Sequence, residues 1–140
     1  MRNALCVSIM VKKGVCSIIL MTGGRVVSKS VTRIKDEDIL SSSYRCLIYA
    51  FTKALRVLRS YIDNNPNTDK VVFEVNNSTF IKWVYASYSK EAYQDLFEKA
   101  LELLDEIPVQ YMFSYSKKPT ACMYLSEVSD NNNTLSGLFD

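Results

Sequence analysis

The chain has 140 residues, 48% of them apolar and 23% charged, which is enough for a single domain with one substantial core. Its 17 basic and 15 acidic residues leave a net charge of +2, too small by itself to argue for a nucleic-acid partner. There is no histidine, which removes every scheme that uses imidazole as the base, and no apolar run nears the ~18–20 residues of a membrane span. Cys6, Cys16, Cys46 and Cys122 are scattered without a Cys-x-x-Cys pair, so neither a zinc site nor a disulfide framework is expected. All four read as buried thiols of a reducing, cytoplasmic setting.

The opening MRNALCVSIMVKKG has Lys12 and Lys13 directly after its apolar stretch and no small-residue cleavage site, so it reads as a strand and not a signal peptide. ALCVSIMV, VCSIILM and RVVSKSVTRI are three β-rich runs separated by the turn signals Lys12-Lys13-Gly14 and Thr22-Gly23-Gly24, the form of an antiparallel meander. In SSSYRCLIYAFTKALRVLRSYIDNN, residues Leu47, Phe51, Ala54, Leu55, Leu58 and Ile62 recur at helical spacing, with Ser41 to Ser43 as cap candidates. Pro66 cannot continue that helix.

KVVFEV is a short continuous apolar run, as in a buried central strand. NNSTFIKWVYASYSK begins a second helix, and EAYQDLFEKALELLDEI continues or restarts it with Leu96, Phe97, Ala100, Leu101 and Leu104 inward. VQYMFSYS alternates as a fifth strand, and PTACMYLSEV is a last short helix starting at Pro119. The order is βββαβαβα over residues 1–128, followed by an Asn-rich tail over 129–140.

That order, with the glycine-turn segment VCSIILMTGGRVVSKSVTR, the Arg-bearing helix SSSYRCLIYAFTKALRVL, the strand-to-helix segment FEVNNSTFIKWV and the aromatic strand QYMFSYS, resembles the ribonuclease H fold family over roughly residues 4 to 127. The resemblance implies an α/β fold with a five-stranded mixed sheet flanked by helices. It also implies two metal ions held by four carboxylates, because paired cations need fixed negative charge to activate water. Carried over, those positions fall on Met10 (in a stretch running from Ser8), Leu47, Asn76 (or Asn77) and Met123 (or Cys122), none of them acidic. Glu74 is the one acid nearby, about 7 Å back along its strand. The expectation is a ribonuclease H-like domain without its active site: no catalytic residues, metal or cofactor. A residual nuclease built around Glu74 is the enzymatic alternative.

Two kinds of binding surface remain. Lys12 and Lys13, with Lys117 and Lys118, are placed by this fold around the emptied cleft, where ammonium groups contact phosphates; Arg45, Lys53, Arg56 and Arg59 share one face of the first helix. Trp83 is expected in the core, and Tyr85, Tyr88, Tyr93, Tyr111 and Tyr115 half-buried. In the tail, Leu135, Leu138 and Phe139 follow a polar tether. TLSGLFD is similar to the C-terminal clamp-binding peptides of T-even-like phage polymerases and to the bacterial sliding-clamp motif, which also end in Leu-Phe. Such a peptide drops a few apolar side chains into a preformed pocket. The expected function is a binding or adaptor protein, phage-encoded, that meets a sliding clamp or polymerase machinery in DNA replication or transcription, with nucleic acid as a second partner. Folding back of the tail onto its own domain is the alternative.

Overall fold

The computed structural model of the chain describes residues 4–128. Strands β1 (Ala4–Lys12), β2 (Val15–Thr22) and β3 (Arg25–Arg33) form the meander, and β4 (Lys70–Val75) and β5 (Gln110–Tyr115) complete a five-stranded sheet in the order β3-β2-β1-β4-β5. The first two pairings are antiparallel, whereas β1–β4 and β4–β5 are parallel. The two hairpins turn on two-residue loops whose residues all have positive φ, Lys13 (51°) with Gly14 (77°) and Gly23 (58°) with Gly24 (77°). That geometry matches the right-handed twist of the flanking strands. The mixed sheet and the element order agree with the expectation.

Helix α1 (Glu37–Leu40) is one turn capped by Asp36, and α2 (Ser43–Asn64) is capped by Ser42, the middle of the three candidate serines. Helix α3 (Ser78–Ala86) starts at Asn77, whose side chain accepts from the Phe80 amide, and stops where Ser87 turns left-handed (φ 54°). The helical run therefore restarts after a loop and a 3₁₀ turn, as α4 (Gln94–Asp105). The last element, Thr120–Glu127, is 3₁₀ and not α-helical, with Pro119 at its N-cap.

Alternation divides the sheet into two faces. Leu5, Val7 and Ile9 of β1, Cys16, Ile18 and Leu20 of β2, Val71, Phe73 and Val75 of β4 and Phe113 of β5 join α2, α3 and α4 in the main core. Phe51 of α2 lies at its centre, with ring centroids 5.4 Å from Phe73, 5.3 Å from Phe80 and 5.7 Å from Phe113. The predicted α2 stripe is buried throughout, but Leu96 and Leu101 of α4 are only half-buried.

Among the described residues, the second face is covered by the 3₁₀ segment, whose Ala121 packs on Met10 and Ile19. This thin cover corrects the cysteine reading: Cys16 and Cys46 are buried, but Cys6 and Cys122 are half-buried. The tyrosine reading is corrected too, because α3 and β5 edge the sheet: Tyr85, Tyr88, Tyr111 and Tyr115 are exposed, whereas Trp83 is buried and Tyr93 half-buried. No helix among the described residues is long and apolar enough to cross a membrane.

Candidate functional site: the carboxyl ends of the parallel strands

β1, β4 and β5 run in the same direction, so their carboxyl ends share one end of the sheet, with β4 in the middle. In open α/β sheets that end is where ligands bind. The register sets Ser8 beside Glu74, the only acidic residue in the five strands.

The two side chains lie on the second face, and both are engaged. Ser8 Oγ donates to Glu74 Oε1 at 2.7 Å and accepts from the Ala121 amide at 2.8 Å. The Thr120 amide donates to the same Glu74 oxygen at 2.9 Å. From β2, Ser17 Oγ donates to the Ala121 carbonyl at 2.8 Å. Ser8 and Ser17 are fully buried, so their hydroxyls must find partners inside the protein, and the Thr120–Ala121 backbone supplies them. Glu74 is thus a structural anchor that pins the start of the 3₁₀ segment to the sheet. Burial, helped by the Glu74 charge, pushes the nearby Cys6 thiol up from about 9 to about 11.

None of the four positions carried over from the fold is acidic, and they differ in burial and in the face of the sheet they serve. Met10 lies under the 3₁₀ segment, Leu47 belongs to the main core on the other face, Asn76 sits half-buried at the bend after β4, and Met123 is 75% exposed. Among the described residues, no group of three or more Cys, Asp or Glu is placed to share a cation. The donor set among the described residues at these positions therefore does not fit a two-metal centre.

Lys12 ends β1, Lys13 occupies the following turn, and Lys117 and Lys118 stand in the loop after β5. All four are exposed, at the same end of the sheet and on either side of the β4 terminus. None of their side chains has an ion pair or hydrogen bond among the described residues.

The basic face expected on the first helix is corrected, because three of its four cations are held within the protein. Arg45 bonds Asp38 at 2.7 Å, Asp95 at 3.2 Å and the Ala92 carbonyl at 3.0 Å. Lys53 donates to Thr32 Oγ1 at 2.8 Å, and Arg59 donates to the Glu106 carbonyl at 2.9 Å. Leu135, Leu138 and Phe139 lie outside the described residues.

Sequence reasoning passed over Ser17, Thr120 and Ala121 and gave Ser8 no partner. The signal was present in VSIM and CSIIL, where a single serine interrupts an apolar strand and must find a hydrogen-bond partner once that strand is covered.

Neither a protein-family model nor a curated protein sequence matches the chain. Solved structures do. LC11-RNase H1, from compost and in complex with an RNA/DNA hybrid, is 12% identical with a TM-score of 0.66 over 91% of this chain and 96% of that one. RNase H1 of the halophilic archaeon Halobacterium salinarum NRC-1 is 12% identical, with a TM-score of 0.61 over 83% and 86% of the two chains. The N-terminal RNase H domain of a Mycobacterium tuberculosis protein is 10% identical, with a TM-score of 0.51 over 89% and 97%. Identity this low establishes shared architecture and leaves activity to be argued from the residues.

Proposed function

We propose, from the ribonuclease H-like fold of this chain and the composition of its strand ends, that it is a non-catalytic nucleic-acid-binding adaptor. The observation that carries this reading is the state of Glu74. The one carboxylate on the sheet accepts from Ser8 and Thr120 through Oε1 and anchors the 3₁₀ segment, which supports a structural role for it.

Lys12, Lys13, Lys117 and Lys118 make the same end of the sheet cationic. They suit the phosphate backbone of a duplex, which is bound without base readout and with strong salt dependence. One solved neighbour holds an RNA/DNA hybrid, which makes that hybrid the first duplex to try. Titrating a labelled hybrid at several salt concentrations tests the reading. Salt-dependent binding that weakens when the four lysines become alanine supports it, and binding unchanged by that substitution contradicts it.

The sequence of the tail supplies the adaptor half of the proposal. Leu135, Leu138 and Phe139 resemble the apolar anchors of clamp-binding peptides, so the tail would recruit a sliding clamp of bacterial or phage type while the domain holds nucleic acid. Binding of full-length protein to a purified clamp, lost on Leu138→Ala/Phe139→Ala, is the expected result. Equal binding by that variant would remove the tail from the proposal.

A further inference from the structure

Beside the first half of β5, the outer sides of α3, α4 and β5 enclose an open groove of about 490 Å³. Val84, Leu104 and Tyr111 line its floor and Glu98, Glu102 and Asp105 its rim. A second hollow of about 310 Å³ continues it past Tyr88 and shares Ser87, Glu98 and Leu101 with it.

Three independent features give this groove a chemistry. First, Ser87 is the C-cap of α3 and Asp105 the last residue of α4, so both helices turn their carboxyl ends, with their negative partial charge, toward it. Second, α4 carries no basic residue in its last turn, so Glu102 and Asp105 oppose their own helix dipole. Arg59 satisfies the Glu106 carbonyl from the α2 side, and Lys99, one turn before Glu102, is a single cation beside the three rim acids Glu98, Glu102 and Asp105. Third, an exposed tyrosine lines each hollow: Tyr111, 38% exposed, in the groove and Tyr88, 62% exposed, in its continuation. Tyrosine faces attract cations, and their rings offer apolar area at low entropic cost.

The edge of β5 is not free for strand addition at this point, because Tyr85 Oη accepts from the Phe113 amide at 3.1 Å. A partner strand therefore cannot pair with β5 at Phe113.

We infer that this groove docks a lysine- or arginine-bearing segment of a protein partner, its cationic groups on the Glu98–Glu102–Asp105 rim and an aliphatic side chain against Val84 and Tyr111. The chain then carries two surfaces of opposite charge, a cationic strand end for phosphates and an anionic groove for a basic protein segment, which lets both be held together.

The test titrates full-length protein into a fluorescein-labelled peptide alternating lysine and leucine, beside the same peptide with glutamate in place of lysine. The lysine peptide should bind and the glutamate peptide should not. Glu102→Gln/Asp105→Asn should weaken binding by about tenfold and flatten its salt dependence, while Glu37→Gln, on α1, should leave it unchanged. Neutralising acids at a helix carboxyl end relieves repulsion with the dipole, so the variant keeps its fold, and a circular-dichroism melt verifies this. Equal binding of both peptides, or unchanged binding by the double variant, would overturn the proposal. Self-association of the chain, lost in the same variant and without peptide binding, would give the groove to a second copy and overturn it as well.

Discussion

The Ser8 hydroxyl is the hub of the network that ties the 3₁₀ segment to the sheet, and removing it is a sharp test of that role. In Ser8→Ala, Glu74 Oε1 loses its 2.7 Å donor and the Ala121 amide loses its 2.8 Å acceptor. Ala121 is fully buried, so its N–H has no solvent to turn to. A hydrogen bond to a charged acceptor contributes ~1.5 kcal/mol or more, and a stranded buried donor costs a similar amount, so the segment should loosen by about 3 kcal/mol. Three polar ties survive, Thr120 to Glu74, Ser17 to the Ala121 carbonyl and the exposed Lys29–Glu127 ion pair, so the start of the segment should open locally before the domain unfolds. Native-state amide exchange then reads the effect directly. The opening constant for the segment, Cys122 among its amides, should rise about a hundredfold, with the β2 and α2 amides little changed. A change below about threefold would mean that the apolar contact of Met10 and Ile19 with Ala121, and not the hydrogen-bond network, holds the segment.

Other consequences follow from the same geometry. Replacing Lys12, Lys13, Lys117 and Lys118 by alanine should reduce the slope of log K against log salt for duplex binding by up to about 3.6, near 0.9 for each phosphate no longer neutralised; an unchanged slope would mean that other residues hold the backbone. Arg45→Lys should not rescue Arg45→Ala in urea melts, because only a guanidinium fork reaches Asp38, Asp95 and the Ala92 carbonyl together, and a full rescue would reduce the interaction to point charge. The Arg45 hydrogen bond holds Asp95 below the ordinary carboxylate value of 3.8, so its contribution is whole above that pH and is lost as the pH falls through its lowered value; the acid limb of stability should flatten in Arg45→Ala. Burial raises the Cys6 thiol to about 11, so its alkylation rate should climb through pH 9 and level off only near 11, and a plateau at 9 would contradict this.

Much of the fold was legible because it rests on local rules. The apolar stripe of α2, the serine cap before it and the glycine turns of the meander each follow from a few consecutive residues. The end of α3 was not legible, because its left-handed terminator is Ser87 and not glycine, and α4 begins without a side-chain cap. The one-turn α1 was missed although Asp36 caps it, since four residues carry no periodicity. The candidate site was legible only in part. The exposed lysines follow from where strands end, but the Ser8–Glu74 pairing joins residues 66 apart, through a parallel register that no local pattern specifies. The tie from Ser17 to Ala121 spans 104 residues for the same reason. Charge on the outer face of α2 pointed toward solvent by periodicity, yet α1, β3 and α4 supply acceptors that sequence spacing alone does not reveal.

The most direct test of the central claim, binding without cutting, is one incubation. A labelled RNA/DNA hybrid is held at protein concentrations that saturate it in anisotropy, first with Mg²⁺ and then with Mn²⁺, and resolved on a denaturing gel. The hybrid should remain intact in both metals while bound. Cleavage that disappears in Glu74→Gln would contradict the account, because it would make that carboxylate a metal ligand in solution and the chain a nuclease.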